Sequence, residues 1–361
     1  VTAPAVARRT VLAGLGALSL PPAAARAAVP AGPLPNLVIV ATGGTIAGAG
    51  ASTVNTGDYD SAKVAVAQII AAVPELKRVA NVRGEQLFQI GSENFDDARI
   101  LQLARRVSDL LKQPDVDGVI VTHGTDTLEE TSYVLNLTLK SDKPVVFVGA
   151  MRPGTALSAD GPINLYNAAV VAGSAEAKGK GVLVVMNDQI FTARDVTKAN
   201  ALRTDAFVSP YGPLGVIVES RAWFYRLPAR PHTRATEFDI DRLAALPRTA
   251  IVYGATGMDP AVLSATVATG VKGLVYAGTG NGSVPSALEG PLKAIRAQGV
   301  IVVRATRTGA GLVVRNGEEE DDANDWIVTA DQNPQKARLL LALALTRTSD
   351  ARAMQEIFYR Y

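Results

Sequence analysis

The sequence predicts an α/β protein. A larger N-terminal, open, mostly parallel sheet with helices on both faces is followed by a smaller C-terminal α/β domain. Short apolar runs alternate with amphipathic stretches, the rhythm of βα units. A chain of 361 residues is too long for one small module and fits two domains. A hydrophobic share of 48% against 19% charged supplies a large core and excludes a disordered chain.

The elements follow in order. Leu37–Ala41 is a buried strand, and Lys63–Val73 reads as a helix. Asp97–Leu111 is a helix because Ile100, Leu103, Val107 and Leu110 recur at helical spacing, with Asp96 placed to cap it. Val116–Thr122 is a strand, Thr127–Leu139 a helix, Val145–Gly149 a strand, Gly161–Ala172 a helix and Gly181–Met186 a strand. The pattern loosens after Gly212. Trp223–Arg242 is charged and broken by Pro228 and Pro231, so residues 223–248 read as a linker between domains at 34–222 and 249–361. Ala250–Tyr253, Gly273–Ala277 and Val300–Arg304 are further strands, and Pro334–Thr346 is a helix.

Residues 1–27 read as an export signal. Arg8-Arg9 precedes a short apolar run that ends at Pro21-Pro22, and Ala25-Arg26-Ala27 supplies an A-x-A cleavage site; the pairing of arginines is twin-arginine-like. The apolar run is too short for a membrane span. The segment carries three arginines and no acid, so the remainder has 33 basic against 34 acidic residues. Such a balance excludes a strongly basic nucleic-acid binder. The expected location is the periplasm or the exterior, with no membrane association after export. The absence of cysteine excludes disulfides, thiolate nucleophiles, zinc–cysteine sites and iron–sulfur clusters. His123 and His232 are the two histidines, too few for a three-histidine metal site.

Two strands end in similar turns, Ala41-Thr42-Gly43-Gly44-Thr45 and Thr122-His123-Gly124-Thr125-Asp126-Thr127. Loops at the carboxyl ends of parallel strands form the ligand crevice, with helix N-termini behind them suited to a carboxylate or an oxyanion. Either turn alone is equally a phosphate-binding or an ordinary tight turn. No dinucleotide fingerprint, Walker sequence or G-x-S-x-G elbow is present, so a hydroxyl nucleophile here needs a base other than histidine. Lys198, in Arg194-Asp195-Val196-Thr197-Lys198, is a candidate if it lies buried near Asp126; an isolated loop lysine is ordinarily a solvated charge. Ile46–Lys63 is rich in Gly and Ser and carries Tyr59, which suits a lid as well as a plain flexible loop. His123 reads as structural. The acidic run Gly317–Asp325 reads as a solvated face.

From Leu34 to Tyr361 the sequence resembles the bacterial type II L-asparaginases and the related glutaminase-asparaginases. The two glycine–threonine turns are the most specific motifs. Val148-Gly149-Ala150-Met151-Arg152-Pro153, Ser158-Ala159-Asp160-Gly161, Arg194–Lys198 and Asn333-Pro334-Gln335-Lys336-Ala337-Arg338 support them. The resemblance implies an amidohydrolase that cleaves the side-chain amide of L-glutamine and L-asparagine to the acid and ammonia through a threonine acyl-enzyme, without metal or organic cofactor. It casts Thr45 as the nucleophile with Tyr59 as its activating neighbour. Thr125, Asp126 and Lys198 become a second threonine with its acid–base partners. Ser92 and Glu93 line the substrate site, Asp126 holds the α-amino group, and the Ala150 carbonyl meets the leaving nitrogen. A homotetramer is implied, each site completed by a neighbour's glutamate, matched by Glu318 with Glu319 in reserve.

Two departures bear on specificity. Gly91-Ser92-Glu93 stands where many strict asparaginases carry Gly-Ser-Gln, and Gly257 appears where many relatives supply an asparagine. By analogy both favour a broader substrate range. The alternatives are a mainly asparagine-specific enzyme with minor glutaminase activity, and an exported amino-acid-binding protein without turnover.

Overall fold

A computed structural model describes residues 32–361; the export signal expected over 1–27 lies outside the described residues. The chain opens with strand β1 (Asn36–Gly43), helix α1 (Val66–Ala71), β2 (Asn81–Ile90), α2 (Asp97–Leu111) and β3 (Gly118–Thr122). Helix α3 (Leu128–Thr138), β4 (Val145–Val148), α4 (Gly161–Ala172) and β5 (Val182–Met186) continue the alternation. Four short strands follow: β6 (Gln189–Thr192), β7 (Thr197–Lys198), β8 (Phe207–Val208) and β9 (Gly215–Val218), and β10 (Arg221–Phe224) closes the first half.

Eight of these strands form one sheet in the order β10-β9-β6-β5-β4-β3-β1-β2. The five from β2 to β5 run parallel, and β6, β9 and β10 extend the edge antiparallel. The side-chain period of two divides β1 between two cores. Leu37, Ile39 and Ala41 face α1 and α4, while Val38 and Val40 face α2 and α3. Strands buried on both faces read as continuous apolar runs, which is why β1, β3, β4 and β5 were expected. Helix α2 has the expected bounds, and Asp96 caps it by accepting the Arg99 N–H at 2.8 Å.

The second half contributes β11 (Thr249–Tyr253), α5 (Ala261–Ala268), β12 (Gly273–Gly278), α6 (Ser286–Ala297) and β13 (Ile301–Thr306). A short α7 (Asp321–Asn324), β14 (Ile327–Val328), α8 (Pro334–Ala344) and α9 (Ala351–Arg360) complete it. Strands β11 to β14 form a separate parallel sheet in chain order. One face packs on α8 and α9, the other on α5 and α6. Tyr133 and Leu137 of α3 join the core under α8, so α3 is shared between the two halves.

The segment expected as a linker departs from that reading. Trp223 and Phe224 belong to β10 and pair with Val216 and Gly215. Beyond them, Phe238 and Ile240 are buried, and Lys140 Nζ donates to the Thr233 and Thr236 carbonyls at 2.9 and 2.7 Å. The prolines and mixed charge signal an irregular backbone here, but the segment is packed.

In the smaller half Arg304 and Asp321 form a fully buried pair, with Arg304 Nε 2.6 Å and Nη2 2.7 Å from the carboxylate. Arg304 also donates to the Gly282 carbonyl at 2.9 Å, and Asp321 accepts the Asn316 N–H at 2.8 Å. The pair thereby fixes both the 281–284 turn and the acidic run. Removing one partner strands the other charge without water, which costs about 3–5 kcal/mol. Asp321→Ala should lower the unfolding free energy by about that amount in chemical denaturation; a loss below ~1 kcal/mol would show that solvent reaches Arg304.

Candidate active site

The carboxyl ends of β3, β1 and β2 are adjacent, and their turns meet. Gly43 and Gly44 have φ of 107° and 77°, a left-handed conformation that glycine adopts at little cost. A Cβ on Gly44 would lie 2.2 Å from the Gly124 Cα, and one on Gly124 would lie 2.6 Å from the Ser92 Oγ. The two glycine turns therefore touch through backbone, and the Ser92 side chain packs against Gly124. Three further bonds lock them: Gly44 N–H to the Ile90 carbonyl (3.0 Å), Thr42 Oγ1 to the Thr122 carbonyl (2.9 Å) and Thr127 Oγ1 to the Ser92 carbonyl (2.9 Å).

Above this junction lies a pocket of about 240 Å³ walled by Thr45, Tyr59, Ser92, Glu93, Thr125 and Asp126. Its size suits a small metabolite, and its lining is mostly polar. Thr45 is buried at the start of a single 3₁₀ turn, and its Oγ1 lies 2.7 Å from the Tyr59 hydroxyl. Tyr59 comes from the Gly-rich loop, which is tied down on both sides. Ala49 and Asp60 pair across it, Gly50 N–H donates to Thr155 Oγ1 at 2.9 Å, and Gly154 N–H donates to the Gly48 carbonyl at 3.1 Å. A Cβ on Gly48 would meet the Tyr59 ring at 2.9 Å, so this glycine makes room for the phenol.

Opposite, Lys198 Nζ donates to Thr125 Oγ1 at 2.9 Å and to Asp126 Oδ1 at 2.5 Å. The lysine side chain is 14% exposed and Asp126 58%. Lys198 is thus a partly buried, paired side chain on a two-residue strand, not a solvated loop charge. Two threonine hydroxyls line one pocket, each with a proton-exchanging neighbour. Such an arrangement can activate a hydroxyl nucleophile without histidine.

Other expected residues lie elsewhere. Ala150 is fully buried at the end of β4 and does not line the pocket. Glu318 and Glu319 sit in the smaller half, bonded to the Ser283 hydroxyl and the Val284 N–H respectively, and neither lines the pocket of its own chain. Gly257 has a φ of 71°, and nothing lies within 4 Å of a Cβ built on it. Glu93 folds its carboxylate over Gly91, where a Cβ would meet Oε1 at 2.3 Å. Ser61 lines the pocket and Glu129 supports the Lys198 segment, and neither carries a local sequence signal.

Two family models match the chain: Asparaginase, N-terminal, over residues 36–230, and Glutaminase/Asparaginase C-terminal domain, over 248–358. The chain is 53% identical to a glutaminase-asparaginase of Pseudomonas fluorescens biotype A, across 91% of each chain. It is 51% identical to L-asparaginase 2 of Bacillus subtilis, across 91% of this chain and 87% of that one. A crystal structure of a probable cytoplasmic L-asparaginase from Campylobacter jejuni superposes with a TM-score of 0.88 at 44% identity, covering 91% of this chain and all of the other.

His123, immediately before Gly124, is fully buried against Phe95 and Phe147, with ring centroids 4.5 and 5.9 Å away. Its Nδ1–H donates to the Gly124 carbonyl at 2.8 Å, while Nε2 has no partner among the described residues. Burial pushes its pKa down to about 4, since a charged imidazole here would lose its water. The unfolded chain binds the proton near pH 6.5 and the folded one only near 4. Stability from this group is therefore full above pH 6.5 and lost as pH falls toward 4, about 3 kcal/mol in all. Denaturation curves between pH 7 and 4 should be visibly flatter for His123→Phe than for the natural chain; parallel curves would refute the assignment.

Proposed function

The chain belongs to the glutaminase/asparaginase family of amidohydrolases, and we propose that it hydrolyses the side-chain amides of L-glutamine and L-asparagine through a threonine ester. The observation that carries this reading is the convergence of Thr45–Tyr59 and Thr125–Asp126–Lys198 on one small polar pocket.

Thr45 Oγ1 attacks the amide carbon, its proton passing to the Tyr59 hydroxyl oxygen as that phenol gives its own proton toward the departing nitrogen. The C–O bond forms, the tetrahedral intermediate collapses, the C–N bond breaks, and the nitrogen leaves as ammonia after gaining a proton. Water then attacks the ester carbon, its proton is taken by a site base, and Thr45 recovers its own. Thr125, Asp126 and Lys198 move protons on the opposite wall. Asp126, half-exposed and acidic, suits a substrate ammonium, and Ser92 with its turn suits the α-carboxylate. The family resemblance assigns the leaving nitrogen to the Ala150 carbonyl, although Ala150 lies outside the pocket lining of this structure.

Glu93 and the glutaminase-asparaginase relative support dual use of both amides. The similar identity to an L-asparaginase 2 favours the asparagine-specific alternative, so the ratio of the two substrates decides between them. The large sheet, extended by β10, serves as the catalytic domain. The smaller half would lend Glu318 to a neighbour's pocket in a homotetramer, which accounts for that residue's absence from its own. Arg8-Arg9 and Ala25-Arg26-Ala27 support export to the periplasm.

Ammonia release should be seen with both amides, with kcat/KM values within about tenfold of each other, that is within about 1.4 kcal/mol. Thr45→Ala should lower kcat on the order of 10³-fold or more on each. Strong preference for asparagine would retire the dual reading. Saturable binding without ammonia would retire the enzyme.

A further inference from the structure

The reaction above makes no use of Glu129, a carboxylate 4% exposed in the first turn of α3. Its Oε1 accepts from Thr197 Oγ1 at 3.0 Å and from the Lys198 backbone N–H at 3.4 Å. Its Oε2 accepts from Asn333 Nδ2 at 2.8 Å, across 204 residues of sequence. Asn333 in turn caps α8, accepting the Lys336 N–H at 3.0 Å. The fully buried Lys336 ammonium donates to the Arg194 carbonyl at 2.9 Å and to the Val196 carbonyl, and its charge lies near Glu129.

A buried carboxylate is costly unless its oxygens are satisfied, and here three donors and a nearby ammonium satisfy them. The placement has a geometric consequence. Thr125 and Asp126 immediately precede α3, and Glu129 lies in its first turn. One helix start therefore holds Lys198 at both ends, the ammonium through Thr125 and Asp126, the main chain through Glu129. A lysine stem is flexible, so a fixed backbone is what keeps Nζ within 2.9 Å of the Thr125 hydroxyl.

We propose that Glu129, paired with Asn333, is the positioning residue of Lys198, so that turnover depends on a contact between α3 of the large sheet and α8 of the small one. This rests on the reading of Lys198 as a proton carrier. Full-length variants test it by steady-state ammonia release and thermal unfolding. Glu129→Ala should lower kcat about 10–100-fold, the scale of a displacement near 1 Å, while KM stays within about threefold. Glu129→Gln keeps an oxygen for Thr197 and Lys198 but sets its NH₂ against that of Asn333, so kcat should fall less. Combining E129Q with N333D exchanges donor and acceptor across the pair and should restore most of the lost kcat. Asn333→Asp alone sets two carboxylates face to face and should lower kcat.

Wild-type kcat in Glu129→Ala would overturn the proposal. So would a folded E129Q/N333D enzyme no faster than E129Q. If Glu129→Ala does not fold, the nearly isosteric glutamine series decides alone. Lys198→Met separates the two layers: if it keeps wild-type kcat, the proton-carrier reading falls and the positioning role with it. If it is inactive while Glu129→Ala is not, only the positioning role falls.

Discussion

The contact between Gly44 and Gly124 is the constraint from which the site follows. The two turns lie so close that a single methyl on Gly44 would sit 2.2 Å from the facing backbone. At that separation the β1 and β3 turns act as one unit, and Thr45 and Thr125, each one residue beyond its glycine, are set on opposite walls. Parallel strands β3, β1 and β2 in adjacent register bring a third turn, with Ser92, against the same point. Rigid elements hold reacting groups more closely than loops do, and here Thr45, Ser92 and Thr125 sit on short turns beside the strand ends while Tyr59 comes from a longer loop. That loop is closed by backbone pairing and by bonds to the 154–157 segment, so its residue too is held in one place.

Charge placement extends this order to the second sheet. Arg194 pairs with Asp331 through two bonds of 2.8 and 2.6 Å, and its Nε donates to the Tyr361 carbonyl at 2.7 Å. That ion pair keeps Asp331 well into its charged form, near a pKa of 2, despite its burial. Lys336 grips the same segment from below with two carbonyls, and burial lowers its pKa to about 8. Each buried charge alone would be destabilising. Together they bind the strand carrying Lys198 to the start of α8, so the smaller half takes part in building the pocket of its own chain.

Much of this was legible in sequence and some was not, for physical reasons. Strands buried on both faces, such as Val145–Val148 and Val182–Met186, read as uninterrupted apolar runs between turn residues. Strand β2 is an edge strand carrying Arg83, Glu85 and Gln86, so its pattern gives no such run. The antiparallel strands β6, β9 and β10 are four residues each, too short for periodicity to register. Helix α9 does carry a signal, with Met354, Ile357 and Phe358 behind capping Asp350, which the expectation of Pro334–Thr346 as the last helix leaves out. Thr45 and Thr125 are visible because their glycine turns are local. Lys198 and Glu129 are not set apart locally, because what distinguishes them from ordinary surface charges is pairing with partners 72 and 204 residues away.

The pocket's dimensions bear on specificity in the proposed reaction. Glutamine exceeds asparagine by one methylene, and one methylene in a pocket is worth only about 1–3 kcal/mol of discrimination. Selectivity at that level must come from where the α-carbon end is anchored and how far the amide then reaches toward Thr45. Ser92 and Asp126, the proposed anchors, sit on turns joined by the packing of the Ser92 side chain on Gly124 and by the Thr127 Oγ1 to Ser92 carbonyl bond, so the proposed anchor has little freedom. Glu93 is different. Its carboxylate bends over Gly91, its Oε1 takes a 2.8 Å bond from Asn94, and the side chain stands exposed at the pocket mouth. An exposed side chain of this kind can turn toward or away from a substrate ammonium without disturbing the glycine junction. A longer substrate can then be accommodated by moving a single side chain, while the distance between the two threonines stays as the backbone sets it.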